Sequence, residues 1–173
     1  LLLRTAAVLL FGLALARPYF SSQSSSFDQR QPLHAILLID NSLSMGYEAL
    51  DGNLLSKAKQ RAVDFVDQLP VGSKTTVVPM CGSLDPVSPD PYETRDMAVE
   101  AIERIQLVDR SVTMKQGMNL AREAATSAPQ LAKRIVFFGD QQRENWRDVQ
   151  GANLFDDTLP VQIVDVAPLE WEN

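Results

Sequence analysis

Strand-length apolar runs alternating with amphipathic helical stretches predict an α/β fold: a doubly wound, mostly parallel sheet flanked by helices, of Rossmann-like layout. Three observations carry that expectation. The runs Leu33–Ile39, Thr75–Met80, Arg134–Phe138 and Val161–Val166 are short and apolar, and Leu33–Ile39 and Arg134–Phe138 suit strands buried in the middle of a sheet. Helix-spaced apolar residues fill intervals between them. Oxygen-bearing side chains follow within two residues of Ile39 and Phe138, at the strand ends where such sheets hold their ligands.

The elements follow in order. Leu33–Ile39 is the most apolar strand and ends at Asp40. A helix is expected from about Leu54 to Leu69, with Leu54, Ala58, Ala62, Phe65, Val66 and Leu69 on one face and Pro70 and Gly72 ending it. Thr75–Met80 is the second strand, followed by a loop containing Pro86, Pro89 and Pro91. A second helix is expected over Thr94–Ile105, with Met97, Ala98, Ala101, Ile102 and Ile105 facing inward. A third covers about Lys115–Ser127 and stops before Pro129. Two more strands, Arg134–Phe138 and Val161–Val166, complete the pattern.

Length and composition bound the function. The 173 residues suit one domain, and a 45% hydrophobic content supports a buried core. Sixteen Lys and Arg against 22 Asp and Glu give a net charge of −6, so nucleic acid is not an expected partner. A single cysteine, Cys81, cannot form an intrachain disulfide. With only one histidine, His34, a structural zinc site lacks its nitrogen and sulfur ligands. Hard-cation chemistry with oxygen ligands stays open.

Residues 1–20 begin LLLRTAAVLLFGLALA, apolar but for Arg4 and Thr5. Two readings fit: part of a transmembrane helix, or a signal peptide cleaved after Ala14-Leu15-Ala16. Either one exports the remainder. A buried core helix is disfavoured, because no polar face runs along the segment. Arg4 and Arg17 flank both ends, so charge gives almost no orientation. A Ser/Gln-rich linker is expected over 21–32 and the folded domain over 33–173. The start at Leu1 and the stop soon after Val161–Ala167 read as a fragment of a longer protein.

Asp40-Asn41-Ser42-Leu43-Ser44 follows the first strand. Side-chain oxygens at i, i+2 and i+4 can converge if the loop curls, and one carboxylate with two hydroxyls suits Mg²⁺, which keeps several waters. The competing role is capping of the turn's backbone groups. By chance such a match arises in roughly one chain of this length in 25; its place at the end of the most apolar strand gives it weight. Thr113 precedes the third helix and by itself fits a helix N-cap better than a metal ligand. Asp140, in Phe137-Phe138-Gly139-Asp140, fits loop capping and metal binding equally.

Together, Asp40, Ser42, Ser44, Thr113 and Asp140 resemble the metal-ion-dependent adhesion site (MIDAS) of von Willebrand factor A domains. The resemblance covers Leu33 to about Ala167. It implies that Ser42 and Ser44 bind the ion directly, Thr113 directly or through water, and that Asp40 and Asp140 hold coordinated waters. The implied ion is Mg²⁺, with Mn²⁺ or Ca²⁺ as alternatives, and its open position takes an Asp or Glu of a protein partner. Gln141 departs from the Asp-Gly that many such domains carry after the last metal strand, so partner identity does not carry over.

A narrower resemblance is to the membrane-anchored aerotolerance-regulator (Bat-like) proteins of bacteria. It rests on Ala16-Arg17-Pro18, on Ser44-Met45-Gly46-Tyr47 after Asp40-Asn41-Ser42, and on Asp140, Gln142 and Trp146. It implies the inner membrane through residues 1–20, a domain on the periplasmic side, and assemblies with other A-domain proteins and an AAA-type ATPase.

Enzymatic readings fare worse. A haloacid-dehalogenase-type phosphatase needs a second carboxylate two residues after Asp40, where Ser42 stands. No P-loop and no Gly-x-Ser-x-Gly elbow is present. His34, the sole histidine, sits at the opposite end of the strand from Asp40 and suits packing. Cys81 suits a small buried hydrophobe. The expected function is Mg²⁺-dependent, non-enzymatic binding of an acidic partner, with a metal-free scaffold as the alternative.

Overall fold

The computed structural model describes residues 31–49, 52–84, 87–140 and 159–167. The expected membrane segment over 1–20, most of the linker, and Gln141, Gln142 and Trp146 lie outside the described residues. Among those described, no helix is long and apolar enough to cross a membrane.

Seven consecutive buried residues make β1 (Leu33–Ile39) the centre of the sheet. It pairs in parallel with β4 (Lys74–Pro79) on one side and β5 (Ala132–Gly139) on the other. β6 (Val161–Asp165) adds in parallel to β5, giving the order β4-β1-β5-β6. A two-stranded antiparallel ribbon, β2 (Glu48–Ala49) and β3 (Gly52–Asn53), follows the first loop.

Alternation along β1 divides the core. Ala35, Leu37 and Ile39 face α1 (Leu54–Asp67) and α2 (Arg95–Glu103), which contribute Leu54, Ala58, Ala62, Val66, Ala98 and Ile102. Ile36 and Leu38 face α3 (Met114–Ala124) through Met114, Met118 and Ala121. Helices therefore cover both faces, as the apolar strands demand. Phe65 of α1 meets Phe138 of β5 edge-on, with ring centroids 6.4 Å apart. Asn53 caps α1 by accepting from the Ser56 N–H, and Thr94 caps α2 through the Met97 N–H.

Two sequence expectations need correction, and one element is new. Met97 is 51% exposed instead of inward. The buried stripe of α2 runs through Ala98, Ala101 and Ile102, and a residue one step before it is turned about 100° away. The third helix ends at Ala124, and Ala125–Ser127 tightens into a 3₁₀ turn. The β2–β3 ribbon was not expected, because strands of two residues carry no readable alternation.

Candidate metal centre at the carboxyl end of the sheet

The chain leaves β1, crosses to β4 at one side, then returns past β1 to β5 at the other. Strand order thus reverses between β1 and β5, and ligands of open α/β sheets bind outside the carboxyl ends at such a point. Ile39 and Phe138 are register partners there. The next residue of β1, Asp40, continues the ladder by donating its N–H to the Phe138 carbonyl at 2.9 Å.

Asp40 and Asp140 are 1% and 4% exposed at these two strand ends. The Asp40 carboxylate accepts the Ser42 N–H at 2.9 Å, which curls the loop back over the strand. Ser42 then starts a 3₁₀ turn over Leu43–Gly46, and its Oγ lies 3.0 Å from Ser44 Oγ. Burial pushes the Asp40 carboxyl above its ordinary value; the Ser42 bonds counter this, and the Asp140 charge adds to the rise. Two buried carboxyl groups repelling each other beside paired hydroxyls are an arrangement that a cation relieves.

The donor set fits a hard divalent ion. Among the described residues no group of three or more His, Cys, Asp or Glu is placed to hold a metal, so the oxygens available are two carboxylates and hydroxyls. An octahedral ion with bonds of about 2.1 Å separates adjacent ligands by about 3 Å, which matches the Ser42–Ser44 spacing. The same separation also makes an ordinary hydrogen bond, so the hydroxyls satisfy each other when no ion is bound.

Thr113 is the N-cap of α3. Its Oγ accepts the Gln116 N–H at 3.4 Å, and Gln116 Oε1 accepts the Thr113 N–H at 3.2 Å, a reciprocal capping box. The helix starts near the carboxyl end of the sheet: a Cβ at Gly117 would lie 3.1 Å from Met80 Cγ, and the Met80 N–H bonds the Ile39 carbonyl.

The residue that organises this region went unnoticed in the sequence. Asn41, fully buried between Asp40 and Ser42, accepts the Cys81 N–H at 2.9 Å and donates to the carbonyls of Gly82 at 2.8 Å and Gln106 at 2.9 Å. Its own carbonyl accepts the Val108 N–H at 2.9 Å. One amide therefore ties the loops after β1, β4 and α2 together. Its only sequence signal was its place inside the motif. Gly139 was also missed as a requirement: a Cβ there would collide with the Phe137 ring and come within 3.1 Å of Asp40 Cβ.

His34 stands apart from this centre. It is completely buried at the start of β1, with Nε2 2.8 Å from Thr76 Oγ1. Cys81 is buried, and burial together with the Asp40 charge pushes its thiol up to about 11.

The family sequence model of the von Willebrand factor type A domain matches residues 35–142. That is more than half of the chain, which belongs to this family. Domains of the family generally bind protein partners and commonly hold a metal at the MIDAS. Among solved structures, a von Willebrand factor type A protein from Catenulispora acidiphila is similar with a TM-score of 0.61 and 20% identity, over 77% of this chain and 33% of that one. Proximal thread matrix protein 1 from the mussel byssus, in a structure with a zinc-occupied MIDAS motif, gives 0.56 and 14%, over 78% and 38%. The type V pili tip protein Mfa5 of Porphyromonas gingivalis gives 0.51 and 19%, over 63% and 20%. At these identities the likeness is one of fold, and this chain spans well under half the length of each. No curated protein sequence matches it.

Proposed function

We propose that this domain is a non-enzymatic adhesion module that holds Mg²⁺, or Mn²⁺ or Ca²⁺ in its place, and binds a partner's Asp or Glu through the ion. The observation that supports this best is the meeting of Asp40, Ser42, Ser44 and Asp140 at the β1–β5 reversal. Ser42 and Ser44 would ligate the ion directly, Thr113 directly or through water, and Asp40 and Asp140 would hold its waters. The ion supplies a Lewis-acidic position for a carboxylate and no bond chemistry. With neutral hydroxyls as direct ligands, affinity for the free ion is weak.

Residues 1–20 would anchor the module in a bacterial inner membrane with the domain on the periplasmic side, in assemblies with other A-domain proteins and an AAA-type ATPase system. An alkaline-phosphatase fusion after Asn173 tests that topology: activity supports export, and an inactive fusion moves the domain to the cytoplasm.

Electron paramagnetic resonance of Mn²⁺ titrated into the full chain tests the metal reading. One site competed by Mg²⁺, and lost in Asp40→Ala and Ser42→Ala, is the expected result. A folded chain that binds no Mn²⁺ supports the second reading, a metal-free scaffold, for which the Ser42–Ser44 hydrogen bond is the favouring observation.

A further inference from the structure

Leu43 lies between the two motif serines and is 58% exposed, while Asn41, Ser42 and Met45 beside it are buried. Arg110, on the loop between α2 and α3, is exposed and makes no ion pair among the described residues. Arg95 and Arg104, by contrast, pair with Asp67 and Glu100.

The backbone beneath Arg110 is fixed. Its N–H donates to the Val108 carbonyl at 2.8 Å, and the Val108 N–H donates to Asn41. A Cβ added at Gly82 would sit 3.4 Å from an Arg110 guanidinium nitrogen, so the guanidinium lies over the turn that Asn41 holds. The Cys81 thiol feels the charges of both Asp40 and Arg110, which locates the guanidinium at the same end of the sheet as the candidate centre.

A protein of net charge −6 repels an acidic partner at long range, so local positive groups decide where one docks. An exposed guanidinium matches a carboxylate bidentately. We propose that this surface reads a partner segment bearing two carboxylates and an aliphatic side chain: one carboxylate for the ion at Ser42 and Ser44, the second for Arg110, and the aliphatic group for Leu43. This rests on the adhesion reading above and narrows its partner to a doubly acidic, apolar-flanked segment.

Selection of random peptides displayed on phage, against the full chain in millimolar Mg²⁺, is the test. Enriched peptides carry two acidic residues next to Leu, Ile or Val. Arg110→Gln weakens the selected peptide roughly tenfold or more, with Mn²⁺ affinity unchanged. Arg110→Glu selects peptides with Lys or Arg in place of one acid, and Leu43→Ser drops the aliphatic preference. The same peptides from wild type and Arg110→Glu overturn the proposal, as does a single-acid consensus. So does a chain that binds Mn²⁺ yet enriches no Mg²⁺-dependent peptide. A folded wild-type chain without Mn²⁺ binding overturns the adhesion reading beneath it.

Discussion

Asn41 Oδ1 accepts the backbone N–H of Cys81 at 2.9 Å, joining the loop after β1 to the loop after β4. The same amide holds the Gly82 and Gln106 carbonyls. Asn41→Ala leaves these backbone groups without that partner in a buried place. It is expected to cost about 3 kcal/mol in urea unfolding, and hydrogen exchange at Cys81 should accelerate well before the central strands open. Slow exchange at Cys81 in the variant would show that the loops hold without the amide.

Ser42→Ala separates site from scaffold. The hydroxyl bonds Ser44 Oγ and the Asp40 carboxylate, so unfolding stability should fall by about 1–2 kcal/mol and the chain should still fold. Mn²⁺ binding should disappear. A variant that fails to fold would make Ser42 a structural residue first.

Gly139→Ala tests the closeness of β5 to the site. The added methyl group meets the Phe137 ring and Asp40 Cβ, which must move apart. A loss of about 1–3 kcal/mol is expected, together with weaker Mn²⁺ binding because Asp40 is displaced. Wild-type values for both would mean that the ring rotates away freely.

His34 sets an acid limit on stability. Burial, then the Lys133 and Lys74 charges, holds its imidazole down at about 4, against an ordinary value of 6.5. Below pH 6.5 the unfolded chain takes up a proton that the folded chain refuses until about pH 4. The contribution is therefore complete above 6.5 and is lost as pH falls toward 4, by up to about 3 kcal/mol. Urea unfolding of wild type and His34→Gln at about pH 7.5 and about pH 4.5 should show a smaller pH dependence in the variant. Equal dependences would assign the acid loss to carboxylates.

Cys81 should be inert. A buried thiol held up at about 11 is scarcely ionised near neutrality. A colorimetric thiol reagent should label the native chain far more slowly than the urea-unfolded one. Comparable rates would mean that the loop after β4 opens readily.

The sheet was legible because β1 and the stretch Ile135–Gly139 of β5 are buried, and continuous apolar runs report that directly. Asp40 and Asp140 were legible because the ends of such strands are where polar residues abruptly begin. Thr113 was legible as a cap, and the capping box with Gln116 bears out that local reading while leaving its metal role to the proposal. Asn41 was not, because its partners lie 40 and more positions away in the chain and are main-chain groups of no particular residue type. Met97 was misplaced because adjacent apolar residues on a short helix do not mark which of them edges the buried stripe. The demand at Gly139 comes from the Phe137 ring and from a neighbouring strand, and neither approach is written in local sequence.

The hydrogen bond from Asp40 to Phe138 makes the first acidic residue of the centre the last rung of the central ladder. Its amide is released to solvent only when this terminal rung opens, so the order of that part of the centre depends on the carboxyl end of the β1–β5 ladder. Adaptability toward different binders then falls to the surrounding loops, which can be lengthened or swapped as long as Asn41 still finds its main-chain partners.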